Sequence, residues 1–253
     1  MNRMLWTAFA ALGLCFAPVA TSATVVLNHS DPLYDLQAEL TISGDTLTVV
    51  LRNNSPTASE EAVDLLTSFY FDINNGTSRP TLSYASATGD VYIGDGEAAD
   101  PLDEAAADLL ADVNREDTWQ FRQGLSLVDD SDELSFGIGT VSNKRLKPNG
   151  FDKRVVLREN YGIYTGDATT NALDSAALVK DNATFTFTGV NGFTEDDISR
   201  VGAFGLGNRP DSLYFTKTKE GGVPVPEPAN ALLLGAGLAG LAWLGSNRNG
   251  SGS

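Results

Sequence analysis

The chain has 253 residues, a formal net charge of −16, one histidine and one cysteine. A lone cysteine permits no internal disulfide, and one His plus one Cys fall short of the three or four ligands of a zinc site. The acidic balance opposes binding to nucleic acid and to anionic lipid, and suits a soluble, self-repelling body or one that meets divalent cations.

Met1 to Ala23 carries a positive n-region at Arg3, an apolar stretch from Met4 to Ala17, and small residues at Thr21 and Ala23. That pattern predicts a secretory signal peptide (residues 1–23) cut after Ala23 by signal peptidase; an uncleaved N-terminal anchor is the alternative. The cysteine, Cys15, lies inside this segment, and no lipobox-like cysteine stands at the cut. Loss of Arg3 takes the charge from −16 to −17.

Residues 24–220 have the size of one β domain. Thr24–Leu27 is a β-branched run, the expected first strand. Leu40 and Ile42, then Leu47, Val49 and Leu51, alternate with mostly polar residues around Gly44-Asp45, which predicts a hairpin with one buried face. Asn53–Ser59 reads as a polar loop. Phe69, Phe71 and Ile73 alternate with Ser68, Tyr70 and Asp72 before an Asn74-Asn75-Gly76 turn. Leu82/Tyr84 and Val91/Ile93 are two further candidates, separated by Ala87–Asp90.

The period then changes. Asp100-Pro101 followed by Leu102, Ala105, Ala106, Leu109, Leu110 and Val113 predicts an amphipathic helix from Pro101 to about Asn114, capped by Asp100. Strands resume at Trp119/Phe121, Leu125/Leu127 and Phe136/Ile138, with an acidic turn at Asp129–Glu133. Lys144–Lys147 is the one basic cluster, and Val155–Leu157 pairs in this reading with Tyr161–Tyr164. Asp174–Val179 reads as a short helix. Thr184–Val190 is a strand with Phe185 and Phe187 inward and the threonines outward. Thr194–Asp197 has the form of a capping box, and Val201–Leu206 and Ser212–Thr216 close the sheet. The expected fold is all-β: an antiparallel β-sandwich, jelly-roll-like, with one or two short helices.

Residues 221–253 form a linker and tail. Val225-Pro226-Glu227-Pro228 precedes an uncharged apolar run, Ala229–Gly245, and Arg248 follows. As a helix the run spans about 26 Å at about 1.5 Å per residue, just enough to cross a bilayer once. The prolines mark its start, Trp243 suits the interface, and Arg248 suits the inner side. This order resembles the PEP-CTERM sorting signal. The resemblance implies recognition of Pro-Glu-Pro by an exosortase, a membrane cysteine transpeptidase. It further implies a transient inner-membrane anchor, removal of the tail, and delivery of the body to the cell envelope, outer surface or extracellular matrix. A plain C-terminal anchor is the other reading of the same residues, and the likeness carries no activity for the body.

The body offers little for catalysis. His29, the single histidine, is read as a surface loop residue, and no nucleotide-binding glycine motif is present. A glycosidase needs only two carboxylates at the right separation, so a secreted carbohydrate-active sandwich is the alternative to a structural or adhesive protein. No cofactor is expected. Calcium is the one ion considered, with Asp95, Asp100, Asp129, Asp130 and Asp132 in oxygen-rich loops as weak candidates. Tyr70, Tyr84, Tyr92 and Trp119, if exposed, would make a sugar-stacking platform; the other reading places them in the core or at its rim. The favoured partner is acidic or neutral exopolysaccharide.

Overall fold

A computed structural model describes residues 23–93, 100–101, 119–129, 132–140, 161–166, 177–207 and 213–217, all within one compact unit, Ala23–Pro226. These residues are mostly β-strand, with almost no helix. The only helical pieces among them are two 3-10 turns, Ala62–Asp64 and Glu195–Asp197. The strands are β1 Thr24–Ser30, β2 Asp35–Ser43, β3 Thr46–Asn53, β4 Leu66–Phe71, β5 Ser83–Ile93 and β6 Asp100–Pro101. They continue with β7 Gln120–Asp129, β8 Asp132–Gly139, β9 Ile163–Tyr164, β10 Ala177–Thr188, β11 Val201–Leu206 and β12 Leu213–Lys217.

The strands join into one sheet nearly closed into a barrel. One run is β1-β2-β3-β10-β5-β6, and the other is β12-β11-β4-β8-β7. The two-residue β9 ties the runs together, parallel to β10 and antiparallel to β4. At the opposite seam no ladder joins β1 to β12 in the strand order; there the Thr216 hydroxyl donates to the Asn28 carbonyl.

Period-two patterning explains the β2–β3 hairpin directly. Leu36, Ala38, Leu40 and Ile42 on one strand, and Leu47, Val49 and Leu51 on the other, are all buried. Gly44, at φ +60°, opens the two-residue turn between Ser43 and its partner Thr46. On β10, Phe185 and Phe187 point inward and Thr184, Thr186 and Thr188 outward, as the alternation predicts. Inside lies one large apolar cluster, to which Leu27, Phe69, Phe71, Phe136, Ile138, Phe185 and Phe204 contribute.

Several expectations are corrected. β4 is buried on both faces, so Ser68 and Tyr70 do not face solvent. Phe69 and Phe71 join the central cluster, while Tyr70 belongs to a second one with Leu125, Leu127, Leu134, Val201 and Ala203. Ala87–Asp90 is not a turn: β5 runs through it, its pairing with β10 shifting register twice instead. The segment read as a helix from Asp174 is strand from Ala177 onward. Asp100 and Pro101 pair with Ile93 and Tyr92 as β6, and the remainder of the expected helix, 102–114, lies outside the described residues. Lys144–Lys147 and Val155–Leu157 also lie outside them.

The register fixes two poles. Ala23 and Thr24, the Gly44-Asp45 turn, the 72–79 loop and the 189–200 segment gather at one. There Asp45 Oδ1 accepts from Gly189 and Asn191, and Glu195 Oε1 accepts from the Ala23 N–H. Lys217 pairs with Val201, so β12 ends at this pole too. The 31–34 turn, the 54–65 loop and Gly207 gather at the other pole.

Candidate functional site

The pole away from Ala23 and Lys217 carries a cleft of about 140 Å³. One side is Leu33 and Tyr34, from the β1–β2 turn. The other is the loop after β3, which contributes Ser55, Thr57, Ala58, Ser59, Glu60 and Asp64.

Local chemistry explains both sides. Asp31 Oδ1 accepts from the Leu33 and Tyr34 N–H groups at 2.7 and 2.8 Å, an Asx-type turn that sets the two cleft residues. Those bonds, with a smaller share from His29, hold the Asp31 carboxyl below its ordinary pKa. The 54–65 loop is pinned by a buried amide. Asn53, 1% exposed, donates through Nδ2 to the Asp64 and Ile163 carbonyls, both at 3.1 Å. Its Oδ1 accepts from the Ser55 hydroxyl at 2.6 Å and the Ser55 N–H at 3.3 Å. Ser59 adds a second tie: its N–H donates to the Thr165 carbonyl and its Oγ accepts from the Thr165 N–H. Asp64 Oδ2 accepts from the N–H groups of Glu60 and Glu61, closing the 3-10 turn. Its Oδ1 meets the Tyr34 hydroxyl at 3.5 Å, the far limit of a hydrogen bond.

An aromatic row runs from the cleft to the barrel seam. The Tyr34 ring lies edge-on to Tyr214 at 5.5 Å, and Tyr214 lies 4.7 Å from the His29 ring. Burial raises the pKa of both tyrosines, helped at Tyr34 by the Asp64 charge and at Tyr214 by the Asp31 charge. Leu33 stays 66% exposed at the rim. A half-buried phenol, an exposed leucine, an exposed threonine and two carboxylates line the cleft, while the Ser55 and Ser59 hydroxyls are spent within the loop, on Asn53 and Asp35 and on Asp64 and Thr165.

The other expected site residues fare differently. His29 sits in β1 and not in a loop, with Nε2 3.1 Å from Asp31 Oδ2. The four-aromatic platform does not form. Tyr70 is fully buried, and Trp119 packs in the core at 5.0 Å from Phe185, its indole donating to the Tyr161 carbonyl. Tyr84 packs against the central cluster, and Tyr92 faces Lys180 Nζ, 6.0 Å from its ring centre. Among the calcium candidates, Asp129 and Asp132 pair across the β7–β8 hairpin and Asp100 lies in β6. Asp95 and Asp130 lie outside the described residues. No cluster of three or more His, Cys, Asp or Glu able to hold a metal occurs among the described residues. Val225, Pro226, Glu227, Pro228 and Arg248, and the apolar run Ala229–Gly245, also lie outside them. No helix among the described residues is long and apolar enough to cross a membrane.

The cleft itself was missed in the sequence. Its one available signal is Asn53, a polar residue at the next inward position after Leu47, Val49 and Leu51. Comparison with protein-family models, with curated proteins and with solved structures finds no match.

Proposed function

We propose that the chain is an exported surface or extracellular-matrix protein, processed at its C-terminal Pro-Glu-Pro motif by an exosortase-type transpeptidase. Its β body holds exopolysaccharide. The observation that carries this reading is the order of the tail: Val225–Pro228, then the apolar run Ala229–Gly245, then Arg248, with Arg3, the apolar stretch Met4–Ala17 and the small residues Thr21 and Ala23 at the other end. Two features of the body support it. The two strand runs, joined at β9 and met again at the β1–β12 seam, read as a flattened barrel or sandwich, a module common among polysaccharide-binding surfaces. β12, the last described strand, ends with Lys217 at the pole away from the cleft.

The test is sedimentation of the purified full chain with matrix polysaccharide, at two salt concentrations, with and without calcium. The reading expects co-sedimentation. None under any condition removes the adhesive role. Release of new reducing ends, dependent on two particular carboxylates, would replace it with a glycosidase.

A further inference from the structure

We infer that Glu195 is the seat of the mature amino terminus: the leader is cut between Ser22 and Ala23, and the α-ammonium freed on Ala23 pairs with the Glu195 carboxylate. This rests on the export reading above and moves its cut one residue towards the start of the chain.

Geometry comes first. The Ala23 N–H donates to Glu195 Oε1 at 3.1 Å, across 172 positions of sequence. Ala23 is half-buried, and the compact unit of the body begins with it. A cut after Ala23 takes this nitrogen away from the body. A cut after Ser22 keeps it and makes it the terminus. The sequence allows that cut, because Ala20 and Ser22 are small residues at the same spacing as Thr21 and Ala23.

Charge comes second. Glu195 is half-buried, and among the described residues its hydrogen-bond partner is the neutral Ala23 N–H, with no lysine or arginine beside it. A carboxylate taken partly out of water gains more from a cation than from an amide. An α-ammonium brings a full charge, and three donors where the amide has one. Asp196 and Asp197 share the turn with Glu195. Asp196 has Arg200 at 3.7 Å, and Asp197 accepts from the Thr194 N–H, so Glu195 is the one that reaches the start of β1.

Packing comes third. β1 borders the seam where no ladder joins it to β12. The 189–200 segment is bonded to the chain just after β4: the Ser199 N–H donates to the Asp72 carbonyl, and the Asn74 N–H to the Asp197 carbonyl. Seating the terminus on Glu195 fastens the start of β1 to that other strand run once the leader is gone.

The processed protein is recovered from the envelope, and its first residue is read by intact mass and N-terminal sequencing. The expected first residue is Ala23. Its α-amine is then labelled with a limiting amine-reactive ester at neutral pH, in wild type and in Glu195→Gln, and the label is located by peptide mass. The uncharged amine is the form that reacts, so wild type should label at this position about threefold more slowly, the scale of a partly exposed ion pair. Lysine labelling should be the same in both. A body that starts at Thr24, or equal labelling of the α-amine in the two proteins, overturns this inference and keeps the export reading. A recovered chain that still carries the leader overturns both.

Discussion

Replacing Asn53 by alanine should loosen the cleft and the body together. The amide is 1% exposed and makes four hydrogen bonds: to the Asp64 and Ile163 carbonyls, and from the Ser55 N–H and hydroxyl. Two of these partners keep a second contact, because Ser59 Oγ also donates to the Asp64 carbonyl and Ser55 Oγ also accepts from the Asp35 N–H. The Ser55 N–H and the Ile163 carbonyl lose the partner Asn53 supplies. At about 1–3 kcal/mol for each of these two stranded buried groups, the expected loss is about 2–6 kcal/mol. With a urea slope of about 2–3 kcal/mol per molar for a body of this size, the unfolding midpoint falls by about 1–3 M. Asn54→Ala is the control. Asn54 is exposed, its backbone bond to the Asp35 carbonyl survives, and its cost should stay under about 0.5 kcal/mol. If Asn53→Ala and Asn54→Ala unfold at the same urea concentration, the buried amide does not organise the loop.

Three further outcomes are expected. Ser68 Oγ is the one buried side-chain polar atom without a hydrogen-bond partner among the described residues, so Ser68→Ala should be neutral or stabilising by up to about 1–2 kcal/mol; a clear loss in the same urea assay contradicts this. Gly189 has φ +103°, and an added Cβ would collide with the Thr81 carbonyl oxygen, so Gly189→Ala should cost about 3 kcal/mol or more, read as a lower thermal midpoint. Tyr34 and Tyr214 have folded pKa values above the ordinary 10.0, so they favour the folded state below that pH, and the contribution disappears as pH rises through their folded values. Absorbance near 295 nm should show Tyr34→Phe and Tyr214→Phe each removing a late step of the alkaline titration; loss of an early step would mean these phenols are not desolvated.

The legible parts of the fold were those with one wet face. Leu47, Val49 and Leu51, and Phe185 and Phe187, show period two because their neighbours meet water. β4 defeats the same test because a second cluster covers Tyr70, so polar and apolar positions are buried alike. Gly89-Asp90 reads as a turn locally, but its ladder with β10 carries the strand through, and Ala177–Lys180 is drawn into strand by β5 and β9 on either side. The cleft escaped for a different reason. Tyr34 and Asp64 stand thirty positions apart, in two loops that only the barrel register brings together. The proposed sorting signal at Pro226-Glu227-Pro228 is a linear string, so its pattern needs no fold to be noticed.

The most direct test of the central claim is the intact mass of the protein recovered from the cell envelope and the medium. The account predicts a chain that begins at Ala23 or Thr24 and ends at or near Pro226-Glu227-Pro228, without Ala229–Ser253, and membrane retention when Glu227 is replaced by glutamine. A recovered chain that still ends at Ser253 would contradict processing at the motif and leave the apolar run as a plain anchor.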